Sequence, residues 1–466
     1  MISKFSIRTA ALKAFQLKFF DLLGIEKAII FSVIGKIWLM GGGLVTTLLI
    51  AKWFSPALQG YYYTFTAVLA FQVFAELGLT TIITSFASHE WSKISLDQNG
   101  KIYGDADAIS RLTSLGGFSF KWYLVAGALM ALVLIIGGFI FFGARPNHAV
   151  NWQEPWIVLC IVTGFSLLLM PILALLEGCN QVTNIYKYRL AQYVISSLAA
   201  WLSIYFDAGL WVASIAGAAG LLAMMLLVGR RYRAFLTTIF LHKSEGSRLK
   251  WREDILPMQW RIGLSWIAGY FIFGLFTPVL FYFHGPVVAG QMGMTWAFVN
   301  ALMTMAAAWT LPKAPTFGIL IAQRKYGELD LVFGKLTLTV IGVTVVGAVG
   351  IWSFVFLLNY LHYPLALRLL PPSTTAYLLF ASIIYSMGLP MSAYLRAHKK
   401  EPLMMLSIAN GLFTAILVVM LGKFYAADGV ALGYLIATTI VTPFVVLIWY
   451  RRRAEWHTHP VPGIAS

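Results

Sequence analysis

Four charged residues stand inside or at the edge of long apolar runs: Lys36, Glu76, Glu177 and Arg261. An ionisable side chain at the centre of a membrane helix costs roughly 2.5–3.5 kcal/mol on insertion scales, so it persists where it is paired or used. A carboxylate there can take up and release a proton or a sodium ion, and a cation can hold a phosphate. Lys36 lies twenty residues before Pro56, and Glu76 lies twenty residues after it. At 1.5 Å rise per residue both sit ~30 Å from that turn, at one depth on two antiparallel helices. Read structurally, the two pair and staple a hairpin. Read functionally, they place a coupling-ion group (Glu76) and a substrate-binding cation (Lys36) on the floor of a cavity. Glu177 follows Pro171 by six residues, which sets a second carboxylate beside a candidate hinge. Arg261 opens an apolar run, as a surface anchor or as a phosphate contact.

The elements that carry these groups are dictated by composition. Hydrophobic residues make up 59% of the 466 residues, charged residues 11%, and mean hydropathy is +0.78. Soluble chains carry roughly 25% charged residues. The apolar residues are contiguous, and runs such as 122–142, 208–228, 336–358 and 403–421 hold no charge. A bilayer core needs ~20 apolar residues per helix, and backbone groups in lipid must bond within the helix. The expected fold class is an all-α integral membrane protein of about twelve helices, six and six, around a central cavity.

The net charge of +16 invites a nucleic-acid reading, which the distribution rejects. Of the 34 Lys and Arg, all but Lys36, Lys52, Arg145, Arg368 and Lys423 fall in loops on one side of the membrane. By the positive-inside rule that side is cytoplasmic, and both ends of the chain are expected there. The expected division is a cytoplasmic amphipathic segment over 1–28, a first lobe over 29–229 and a basic cytoplasmic linker over 230–261. A second lobe over 262–450 and a cytoplasmic tail over 451–466 complete it. In the first segment Phe5, Leu12, Phe15, Phe19 and Leu22 recur at helical spacing among Lys and Arg, as an interfacial helix on an anionic leaflet requires.

The two lobes carry similar hairpins. One turns at Phe54-Ser-Pro56 and reaches Gly60; the other turns at Phe283-His-Gly-Pro286 and reaches Gly290. Each reads Phe, then Pro-x-x-x-Gly, six spans apart, which implies lobes inserted in the same direction about an axis along the membrane normal. Pro opens a helix and Gly lets backbones approach, so Pro56, Gly60, Pro171, Pro286 and Gly290 are the candidate hinge and packing positions. Cys160 and Cys179 read as plain membrane thiols, and His89 and His284 as exposed loop histidines without metal-ligand companions. No phosphate-cradling Gly-Lys-Ser/Thr loop, metal cluster or nucleophile elbow occurs, so the chain reads as a non-enzyme without a metal or other cofactor, save a coupling proton or sodium ion.

The stretch from Ala51 to Lys93 carries a Ser55-Pro56-x-x-x-Gly60-x-Tyr62 turn, then Glu76, Gly78 and Leu79 late in the second span. With Gly104-Asp105, Arg111-Leu112 and Lys121-Trp122-Tyr123, it resembles the bacterial polysaccharide and O-antigen flippase family. That family belongs to the multidrug/oligosaccharidyl-lipid/polysaccharide exporter superfamily, and its motifs cover about the first quarter of the chain. The superfamily's peptidoglycan-precursor flippases typically have two spans more than the twelve expected here.

The resemblance implies two bundles in a V around a central cavity in the bacterial inner membrane. It implies an oligosaccharide on an undecaprenyl diphosphate carrier as substrate, turned from the cytoplasmic to the outer leaflet. Lys36 and Arg261 are then candidates for the diphosphate, and Glu76 and Glu177 for the coupling ion. Membrane lipids, a polysaccharide polymerase and a chain-length regulator are the partners it implies, with no nucleic acid. Two other readings stay open at the level of sequence. One is a cation-coupled drug antiporter of the same superfamily, which usually has an acidic lumen. The other is a membrane-embedded sugar polymerase, which usually carries a sizeable polar loop, whereas the outer loops here run to about ten residues.

Overall fold

The computed structural model describes residues 27–97, 101–144, 150–241, 251–398 and 401–458. The proposed N-terminal amphipathic segment lies outside them, apart from Lys27 and Ala28, and so do the second half of the C-terminal tail and the middle of the basic linker. Helices α1 (Lys27–Trp53) and α2 (Pro56–Glu76) meet at the Pro56 turn. Ser55 caps α2: its Oγ accepts from the Leu58 N–H at 3.2 Å, and Pro56 takes the first helical turn, where a missing N–H costs nothing. Helix α3 (Leu79–Trp91) continues α2 after a 45° bend. Then come α4 (Ala106–Gly143), α5 (Gln153–Gly178), α6 (Val182–Tyr205), α7 (Trp211–Arg231) and the short α8 (Arg233–Leu241).

Helix α9 (Leu256–Phe273) bends by 45° into α10 (Phe276–His284). The second Pro turn starts α11 (Pro286–Thr310), and α12 (Ala314–Ala322), α13 (Tyr326–Tyr360), α14 (Pro372–Ala397) and α15 (Met404–Thr458) complete the chain. Among the described residues, eight helices are long and apolar enough to cross a membrane, or ten if each bent pair counts as one span. The protein is a multi-pass, helical membrane protein. Two features separate ten from the twelve read in the sequence. Helix α15 joins two arms across non-helical backbone at Tyr425 and Ala426, and α6, though 24 residues long, carries Lys187 and Arg189.

Three boundaries differ from the sequence reading. Helix α4 begins at Ala106, fifteen residues before the expected span, because Asp105 caps it with a carboxylate that accepts from Ala108 N–H at 2.8 Å. The segment before it forms an antiparallel two-stranded ribbon, β1 (Ile94–Leu96) with β2 (Ile102–Gly104), which an all-α expectation did not include. His284 is not a free loop histidine. Its Nε2 stands 2.7 Å from the Gly422 carbonyl, next to the break in α15, and the ring is half-buried.

Helices of each half pack chiefly on one another: α1 on α6, α6 on α7, α4 on α5, then α13 on α14 and both α9 and α14 on α15. The main contact across the halves is α2 on α11.

Candidate functional site

The two Pro-x-x-x-Gly turns, far apart in sequence, touch. A Cβ on Gly60 would stand 1.8 Å from the Pro286 carbonyl oxygen, and one on Gly290 would stand 2.9 Å from the Gly60 nitrogen. One turn further, a Cβ on Gly293 would meet Tyr63 Cβ at 2.3 Å. Small residues thus let α2 and α11 approach backbone to backbone, the usual basis of close helix packing in lipid.

Side chains that sequence reasoning passed over complete this seal. Gln59 Nε2 donates to the Gly290 carbonyl at 2.9 Å and to the Arg368 carbonyl at 3.1 Å. Arg368 Nη2 donates to the Phe54 carbonyl at 2.6 Å, and Gln291 Nε2 donates to the Leu367 carbonyl at 3.0 Å. The loop between α13 and α14 is therefore strapped over both Pro turns. Gln59 is the Q inside the Pro56–Gly60 motif, and its burial at 1% was the missing signal. Arg368 had a signal in the sequence, as one of the few cations away from the basic side.

The double variant Gln59→Ala, Arg368→Ala is expected to loosen this end. Each lost buried hydrogen bond costs about 1–3 kcal/mol. A cysteine placed at Ala297, in the cavity beneath, should become more reactive to a membrane-impermeant thiol reagent added from the Pro-turn side. The native Cys160 and Cys179 are buried and leave a low background.

Beneath the seal two cavities adjoin. One, of about 510 Å³, lies between α2, α9 and α11 and is lined by Thr66, Trp266, Tyr270, Trp296 and Asn300 among others. The second, of about 410 Å³, lies between α1, α2, α6 and α11 and is lined by Thr46, Thr47, Ser196, Ser197 and Thr304. Tyr63, Thr66, Ala297 and Asn300 border both. No carboxylate, lysine or arginine lines either one among the described residues. Aliphatic residues, among them Leu39, Met40, Leu44, Ile50, Ala67 and Val73, form much of the lining, and aromatic rings, hydroxyls and one exposed amide stand among them.

The expected pairing of Lys36 with Glu76 is not found. Lys36 is exposed, and no ion pair joins the two among the described residues. The reason is that the first hairpin opens: α1 lies along α6 while α2 lies along α11, so equal depth does not bring equal position. Lys36 instead sits one helical turn before Met40, at the edge of the smaller cavity.

Glu76 belongs to a different group. It is 9% exposed, and its Oε1 accepts from Thr80 Oγ1 at 2.5 Å. Arg189 of α6 and Tyr123 of α4 lie within electrostatic reach of it. Arg189 Nη2 donates to Glu177 Oε1 at 2.5 Å, while its Nε is buried without a partner. Arg189, which sequence reading had assigned to a loop, is thus paired with Glu177 and acts on Glu76 only through its field. Pro171 lies within continuous helix α5, and the bends fall elsewhere. Arg261 lies outside the described side chains.

Helix α2 ends at Glu76 because Leu77 and Gly78 both take left-handed backbone, with φ of 46° and 67°. For leucine that conformation costs about 1–2 kcal/mol. The knuckle so formed reaches the other half: a Cβ on Gly78 would meet Ile262 Cγ2 at 2.2 Å, and one on Gly263 would meet Leu77 Cβ at 3.1 Å. The buried carboxylate thus sits one residue from a contact between halves.

No protein-family model matches the sequence, and no curated protein matches it. Solved structures do. A MATE family multidrug resistance transporter of the MOP superfamily, in an inward-facing conformation, superposes with a TM-score of 0.68 at 14% identity, over 94% of this chain and 100% of that one. Lipid II flippase MurJ, in an inward closed conformation, gives 0.63 at 15% identity over 92% of this chain and 91% of its own. The chain has the fold of MATE transporters and of MurJ. An outward-facing MATE family transporter gives a lower 0.57 at 13% identity, covering 93% of this chain and 97% of that one.

Proposed function

We propose that this protein is a flippase that moves a lipid-linked oligosaccharide from the cytoplasmic to the outer leaflet of a bacterial inner membrane by alternating access of two six-helix lobes. The observation that carries this reading is the lining of the paired cavities. Aromatic rings stack on the apolar faces of sugars, and hydroxyl and amide groups exchange hydrogen bonds with sugar hydroxyls. A lumen without carboxylates is poorly suited to a cationic drug. The likeness of fold to MATE transporters favours drug export as the second reading, and the lining weighs against it.

In this mechanism Lys36 draws the diphosphate to the mouth of the cavities at entry, as a point charge suited to phosphate, and the sugars then occupy the cavities. Glu76 binds a proton or a sodium ion. A coupling ion biases alternation only if it binds the two states differently, and the Leu77–Gly78 knuckle supplies a cause. A change at Glu76 acts on backbone that touches Ile262 and Gly263 in the other lobe. The basic loops would face the cytoplasm, with a polymerase and a chain-length regulator acting beyond the outer leaflet.

The test is a leaflet assay in proteoliposomes, with a fluorescent oligosaccharide on an undecaprenyl diphosphate carrier. Transfer that needs the protein, and that falls about tenfold in Lys36→Ala and Asn300→Ala, is the expected result. Efflux of a cationic dye without transfer of the carrier would establish the drug antiporter instead.

A further inference from the structure

A third cavity lies on the opposite face of the seam between α2 and α9–α10. It has a volume of about 610 Å³ and is bounded by Val68, Phe71 and Phe74 of α2, by Val133, Gly137 and Phe141 of α4, and by residues of α10. Apolar atoms form nearly all of its wall. Its depth comes from α4, where a Cβ on Gly137 would meet nothing within 4 Å. It runs from the Pro-turn end, at Tyr282 and Phe283, to the last turn of α2, at Phe74.

One residue borders both this groove and the larger polar cavity: Tyr270. Its ring packs against Phe71 at 4.5 Å and Phe74 at 5.7 Å between centroids, closing the seam. It occupies that place because Gly274 leaves room: a Cβ there would stand 2.5 Å from Tyr270 Cε2. The residue is 6% exposed, yet its hydroxyl has no hydrogen-bond partner among the described residues. A buried hydroxyl without a partner costs about 1–3 kcal/mol, which a polar ligand atom would recover. The helices on either side belong to the two bent pairs.

A compartment that carries hydroxyls and an amide, and one that is apolar almost throughout, share a single aromatic wall and so match a ligand with a polar head and one apolar tail. We propose that the groove holds the isoprenoid chain of the lipid-linked substrate, with Tyr270 at the junction between chain and diphosphate and the seam as a lateral gate. This rests on the flippase reading above. It adds where the chain leaves the lumen: between α2 and α9–α10, with α4 as the far wall.

The test uses the full-length protein in nanodiscs and a polyprenyl diphosphate bearing a photoreactive group on its chain, with crosslinked peptides mapped. Labelling on α4 around Val133 and Phe141, displaced by unlabelled polyprenyl diphosphate, is expected. Gly137→Phe fills the groove where a Cβ meets no atom and should cut that labelling about tenfold, equal to ~1.4 kcal/mol. Val346→Phe, on a surface 73% exposed, should leave it unchanged. Tyr270→Phe keeps the ring and removes the hydroxyl, and should weaken displacement by the diphosphate but not by the free polyprenol. Displaceable labelling between α1 and α11, near Leu44, would overturn the groove while leaving the flippase reading intact. Labelling that nothing displaces would overturn both, marking the groove as filled by bulk lipid.

Discussion

Gly60→Val is expected to unseal the Pro-turn end and abolish transport while leaving the protein folded. The Cβ would lie 1.8 Å from the Pro286 carbonyl oxygen, where real contacts stay above 3.0 Å, so α2 and α11 must separate. Overpacking of this kind costs about 1–3 kcal/mol. In the alternating-access cycle proposed above, the opposite arrangement parts these two turns, so the cost would fall on the sealed arrangement. A bias of that size shifts a two-state equilibrium about 5- to 150-fold. A cysteine at Ala297 should therefore react far faster from the Pro-turn side in the variant. Gly41→Ala, at a position where a Cβ meets nothing within 4 Å, is the matched control. Unchanged labelling and full transport in Gly60→Val would show that the seal is not the gate.

The second large effect is expected at Glu76. Glu76→Gln keeps an oxygen to accept the Thr80 hydroxyl and preserves the shape of the knuckle, but it no longer exchanges a proton or binds a cation. Transfer driven by a proton or sodium gradient should fall to the rate seen without a gradient, while exchange at equilibrium persists. Coupling free energies of this type span about 1–3 kcal/mol. Glu76→Asp should recover part of the coupling. Arg189→Gln removes the cation near it and leaves Glu177 unpaired, so it too should change the ion dependence. Retention of the full gradient dependence in Glu76→Gln would place coupling at another site.

These two sites differ in how much of them the sequence made legible. Pro56, Gly60, Pro286 and Gly290 stand out because a repeated Pro-x-x-x-Gly spacing has few causes, and their mutual contact gives those causes a geometry. Glu76 stands out because a carboxylate within apolar sequence carries its own energetic signal. Its partner was misread. Lys36 lies at matching depth, but depth along a helix says nothing about which way two helices diverge. Arg189 was hidden in a segment that looked like a loop, because Lys187 and Arg189 dilute the hydropathy of a 24-residue helix. Gln59 and Tyr270 had no local pattern to mark them, and Arg368 was marked only as a cation away from the basic side, since their roles arise from what packs against them.

The sequence by itself determined that the chain crosses a membrane many times as helices, and where most of those helices run. Those properties depend on the local run of apolar residues, because lipid leaves the backbone no partner except its own helix. The tertiary structure decided that α2 leans on α11 rather than on α1, that two cavities adjoin beneath a sealed turn, and that Glu76 is held by Thr80 while Arg189 pairs with Glu177. Those depend on steric fit between surfaces distant in the chain. In lipid the hydrophobic contrast that would reveal an inward face is absent, so only the packing of small against large residues selects the partner.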